Sequence, residues 1–178
     1  MSSENNRIRA ADPRGPIVSS EHLSRNASEL SEFEFGMIIA GNAFNRWMVR
    51  CMTAVGLPEL GSLDILVLHS VNHRNRAKRL ADICLVLNVE DSHTVSYSLK
   101  KLTKLGLVAG EKHGKESFFN TTEEGKEICT QYAETREACL VESLSSLGIA
   151  KEDMHQIARV LRAMSGLYDQ AARSAASL

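Results

Sequence analysis

LADICLVLNVEDSHTVSYSLKKLTKLGLV, Leu80 to Val108, holds two apolar periods separated by a short polar break. In the first, Ala77, Leu80, Ala81, Cys84 and Leu87 fall on one side of a helix, which predicts a helix from about Asn75 to Leu87. Asn88 and Val89 make a tight turn. Asp91 then suits the start of a second helix reaching Leu105, because its carboxylate accepts from the free first-turn amides and favours the positive helix end. Gly106 ends that helix as a left-handed cap. At 100° per residue, Val95, Leu99 and Leu102 point inward while His93, Tyr97, Lys100 and Lys104 form a stripe on the opposite side.

Leu107 to Lys112 and Glu116 to Thr121 read as two short strands around His113 and Gly114, a β-hairpin. Two helices joined by a turn, the second one basic, with a hairpin behind them, make the order of a winged helix-turn-helix. Upstream, Gly56, Pro58 and Gly61 break the chain, Ser62 can cap a helix, and Leu63, Leu66, Val67 and Val71 mark its apolar face as far as Asn72. A long first helix over about 31–55 has Ser31 and Glu34 at capping-box spacing, with Ile38, Phe44, Trp47, Met48, Cys51 and Val55 behind. Thr122 caps a helix to about Leu144. Gly148 interrupts it, and a last helix over about 150–173 carries Ile157, Leu161, Met164, Leu167 and Tyr168.

The expected class is mainly α with a small β-hairpin. Residues 1–28, polar and holding Pro13 and Pro16, read as a disordered tail. Residues 29–178 form one domain, with the winged helix-turn-helix at about 62–121 and long helices at about 31–55, 122–144 and 150–173.

Formal net charge is −1, which alone points to no partner. The distribution is more telling. From His73 to Lys115 nine Lys and Arg face four carboxylates, leaving −6 for the rest. A local cationic surplus on a helix-turn-helix suits DNA phosphates, whatever the base sequence.

Near the start of the reading helix, Ser92, Thr94 and Ser96 flank the stripe, where short hydroxyl side chains allow close approach to DNA. Base contacts are expected from this half, with Lys100, Lys101 and Lys104 meeting phosphates. No Arg or Asn lies on the stripe, so no base is singled out. The hairpin tip offers Lys112, His113 and Lys115 to a minor groove or to its phosphates. Arg76, Lys78 and Arg79 are placed to brace the DNA backbone.

The stretch Leu80 to Val108 resembles the helix-turn-helix of the MarR family, including the Leu-x-x-x-Gly-Leu-Val ending at Leu102 to Val108. His113 to Glu127, HGKESFFNTTEEGKE, is similar to that family's wing and following helix start. There Asp-x-Arg precedes Leu-Thr-x-x-Gly; here His113-Gly114-Lys115 and Thr121-Thr122 take those places. Lys115 keeps a cation but loses an acidic neighbour. The polar start Met1 to Arg14 lacks the apolar run of a secretory signal, so the cytoplasm is the expected address; the resemblance spans about residues 31–170 and implies a homodimer interlocked through its terminal helices, reading a pseudo-palindromic double-stranded operator. It also implies repression released by a small-molecule effector, for which Trp47, Met48, Cys51 and His69 are the candidate crevice; all four suit an ordinary core as well.

Other classes find less support. There is no phosphate-binding glycine loop, nucleophile elbow or HExxH, so neither an enzyme nor a bound cofactor is expected. His69 and His73 stand at i, i+4 without a third ligand, and the four scattered cysteines form no CxxC, so no metal is expected. No run of about 18 apolar residues suggests a membrane span. The competing reading is a winged-helix module for protein interaction that does not touch DNA.

Overall fold

The computed structural model describes residues 28–114 and 116–178. The tail expected over 1–28 lies, except for Ser28, outside the described residues, as does Lys115. Two compact units divide at Met48.

Helix α1, Ser28–Ala54, begins three residues before the expected Ser31. No glycine or proline interrupts Ser28 to Leu30, so the helix runs through them, and Ser31 is a buried interior residue rather than a cap. In the first unit Met48 is buried, Trp47 is half-buried, and Ile38, Ile39 and Phe44 are exposed.

The second unit begins with the last turn of α1 and continues with α2, Ser62–Asn72. Its N-cap is Gly61 rather than Ser62, because Asp64 reaches back to accept from the Gly61 N–H at 3.0 Å. Strand β1, Lys78–Arg79, and α3, Leu80–Leu87, follow. The expected helix from Asn75 is thus shortened. Arg74 and Asn75 adopt positive φ, the next residues join a sheet, and Asp82 accepts from the Arg79 N–H to start the helix at Leu80. The apolar face of α3 is also rotated. Ile83 is its buried residue, Leu80, Cys84 and Leu87 are half-buried, and Ala77 and Ala81 are exposed.

Helix α4, Ser92–Lys104, strands β2, Val108–His113, and β3, Glu116–Thr121, fall where the sequence puts them. The sheet has three strands in the antiparallel order β1-β3-β2, with Lys78 opposite Phe119 and Val108 opposite Thr121. Helix α5, Glu123–Arg136, is capped by Thr122, whose hydroxyl accepts from the Gly125 N–H at 3.1 Å and donates to the Gly106 carbonyl at 2.6 Å. A π-helical turn, the short α6 (Glu142–Leu144) and a 3-10 turn carry the chain to Gly148, whose φ of 64° makes the break expected there.

Helix α7, Lys151–Ala175, completes the chain. Ile65, Val67, Leu68 and Val71 of α2 pack with Ile83 of α3 and with Val95, Leu99 and Leu102 of α4 as the fully buried centre. No described helix is long and apolar enough to cross a membrane.

Candidate nucleic-acid interface

Helix α4 is built to show one face. Val95, Ser98, Leu99 and Leu102 are buried, while His93, Tyr97, Lys100 and Lys104 are exposed in the expected stripe. Tyr97 is 71% exposed, unusual for so large a ring with no covering partner among the described residues. Asp91 accepts from the His93 N–H at 2.9 Å, which fixes the first turn and sets where the stripe begins.

The hydroxyl groups beside the stripe divide. Ser92 is exposed, but the Thr94 hydroxyl donates to the Asp91 carbonyl at 2.7 Å and so reinforces the cap. Ser96 is half-buried and turns toward the wing. With Leu80, Leu99, Lys100, Thr103, Ser117 and Phe119 it lines a cavity of about 400 Å³ between α4 and the sheet.

Three cations placed at the DNA surface by sequence already have partners within the chain. Lys101 Nζ lies 2.7 Å from the Asp64 carboxylate and donates at 2.6 Å to the Glu59 carbonyl. Burial opposes the charge on Asp64, but hydrogen bonds from Lys101, Ser98 and the Gly61 N–H outweigh it and hold the carboxyl below its ordinary range. Lys78 Nζ donates to the Val71 carbonyl at 2.9 Å, to that of Arg76 at 3.2 Å and to that of His73, tying off the end of α2. Burial, with Arg76 nearby, pushes its ammonium below the usual lysine range. Arg79 pairs with Asp82 at 3.0 Å and with Glu116 at 3.2 Å, bolting the start of α3 to the wing. Arg76 is exposed.

At the wing, Gly114 takes the tip at φ +65° and Lys112 is exposed. His113 contacts Glu111 at 3.5 Å and sets its ring edge-on to Phe118, with centroids 5.4 Å apart. Glu111, one turn of strand away, thereby gives His113 an acidic neighbour.

The residues suggested for an effector crevice are all buried or half-buried. Cys51 is buried and its thiol donates to the Tyr132 carbonyl at 3.6 Å. Burial, chiefly, pushes that thiol up, as it pushes Cys129 up to about 11, so neither is a ready thiolate. His69 meets Tyr132 edge-on at 4.6 Å; burial lowers its pKa, and its Nε2 has no partner among the described residues. In the first unit the Trp47 indole N–H is likewise buried and unpartnered among the described residues. Sequence reasoning missed Asp64 as the partner of Lys101; the one available signal was a carboxylate inside the apolar stretch Leu63 to Leu68.

Residues 60–125 match the family model described as a winged helix DNA-binding domain. The chain also superposes on a MarR-family transcriptional regulator from Rhodococcus sp. RHA1 with a TM-score of 0.63, at 16% identity, covering 79% of this chain and 97% of that one. The fold is that of the MarR family. A Staphylococcus aureus MarR in complex with salicylate and kanamycin gives a TM-score of 0.62 at 13% identity, over 86% of this chain and 99% of that one. The oxidised form of MarR from E. coli gives 0.56 at 13% identity, over 72% and 90%. No curated protein sequence matches the chain. In the MarR-type frame α3 and α4 are the helix-turn-helix and β2 and β3 are the wing.

Proposed function

We propose that this chain is a cytoplasmic, homodimeric transcriptional regulator, a repressor that binds double-stranded DNA at a pseudo-palindromic operator. The observation that carries the reading is the face of α4. A winged helix leaves His93, Tyr97, Lys100 and Lys104 exposed on one side of the helix that enters the major groove in such domains. Ser92, His93 and Tyr97, at the amino-terminal half, are the candidates for base edges. Lys100 and Lys104 reach for phosphates, as do Arg76 and the wing's Lys112, His113 and Lys115. Catalysis has no part in this reading.

Dimerisation is supported by α7, along which Met154, Ile157, Val160, Leu161 and Leu167 are exposed. A second copy covering that face would place two reading helices on one side of a duplex. Release by a small molecule is a further element of the proposal, prompted by the salicylate-bound S. aureus protein of the same fold.

The test is a mobility shift on promoter fragments at two salt concentrations. Affinity should fall steeply with salt, and Lys100→Ala and Lys104→Ala should each flatten the log–log salt slope by about 1 across all sequences. Absence of binding at low salt would favour the protein-interaction module instead.

A further inference from the structure

Lys100 and Lys101 are adjacent and chemically alike, yet α4 sends them to different places. Lys100 is exposed on the outward stripe, whereas Lys101 is half-buried against Asp64 and the carbonyl of Glu59. Ser98, nearly one turn earlier on the same flank of α4, is buried and helps to hold the Asp64 carboxyl below its ordinary range. Helix α4 is therefore tied at Lys101 twice over, to a carboxylate at the start of α2 and to the Glu59 carbonyl in the connection between α1 and α2.

The other buried residues of α4, Val95, Leu99 and Leu102, are apolar, and apolar contact is non-directional. It opposes separation of the helices but only weakly opposes a roll of α4 about its axis. Charged hydrogen bonds to a fixed carboxylate do oppose a roll. Swinging Lys101 out to a phosphate would strand a buried carboxylate, so the ammonium is retained inside.

We propose that Lys101 is a positioning residue that sets the roll at which α4 presents its outward stripe to DNA. This rests on the DNA-reading function proposed above, and the assignment differs from a phosphate contact by a lysine on the same helix. Asp64 and Ser98 act with it, and none of the three touches a base.

The experiment compares the wild type with Lys101→Met and with the double variant Asp64→Leu/Lys101→Met, each at a temperature well below its own unfolding midpoint. The double variant replaces a buried ion pair by apolar groups, a change that commonly leaves stability intact, so it tests binding even if the single variant fails to fold. The probes are duplexes that the wild type selects from a random library, titrated over a series of salt concentrations, and each variant is also put through its own selection.

The expected result is binding weaker by about tenfold or more in both variants, with an unchanged salt slope and an altered preferred sequence. A slope flatter by about 1 with the preference unchanged would make Lys101 a phosphate contact and overturn the proposal. Wild-type affinity and preference in the folded double variant would overturn it too, leaving the pair a purely structural one. If the wild type selected no duplex at all, the DNA-reading function would fail first and this inference with it.

Discussion

Gly125 shows how one position can be closed to every side chain. A Cβ there would lie 2.1 Å from the Leu107 carbonyl oxygen and 2.7 Å from the Thr121 methyl, both held by the wing and its exit. The close approach lets Thr122 cap α5 while bonding Gly106, so helix and wing share one joint. Gly125→Ala should cost about 2 kcal/mol or more, read as a drop in the urea midpoint. His69 makes the other residue-level prediction. Burial lowers its pKa in the folded chain, so below about pH 6.5 the unfolded chain takes up the proton first. Its contribution is complete above that pH and is lost as pH falls toward the folded value. His69→Phe should therefore flatten the dependence of thermal midpoint on pH between about 7 and 5, relative to the wild type.

Elements were legible in the sequence wherever their cause was local. Helices α2 and α4 and both wing strands sit within a residue of their expected bounds because their period, cap and turn residues lie in or beside the segment. Asp91 is such a cause. Asp91→Ala should remove about 1 kcal/mol of stability, measured by denaturant titration. Where the cause is distant the sequence was silent. Lys78 and Arg79 are a strand only because Phe118 and Phe119, some forty residues later, pair with them. That pairing shortens α3, in which Ile83 is buried while Leu85 and Val86 are 81% and 72% exposed. The same blindness applied to the site. The stripe of α4 followed from periodicity, but nothing near Lys101 announces a carboxylate 37 positions earlier, and nothing near Lys78 announces the end of α2.

For the whole molecule, the two sides of α7 differ. Ala158, Met164, Ser165 and Asp169 are half-buried on the chain's own side, where Asn88 donates to the Ser165 hydroxyl at 3.3 Å. The large apolar residues beside them are exposed, the pattern of a helix awaiting a partner. For the proposed dimer, Ile157→Glu together with Leu161→Glu should give a monomer in analytical ultracentrifugation and weaken the proposed operator binding, because each lobe then binds alone. A dimer that survives both substitutions would move the interface elsewhere. The sheet has a consequence of its own. With β3 in the middle, β2 is an outer strand whose backbone faces solvent along residues 109 to 113, an open template for another molecule's strand. Glu111 and Lys112 stand there as exposed neighbouring charges, the kind of edge residue that disfavours pairing with a strand of another copy. Neutralising both residues should therefore make the protein more prone to form amyloid-like fibres on storage, read by thioflavin fluorescence.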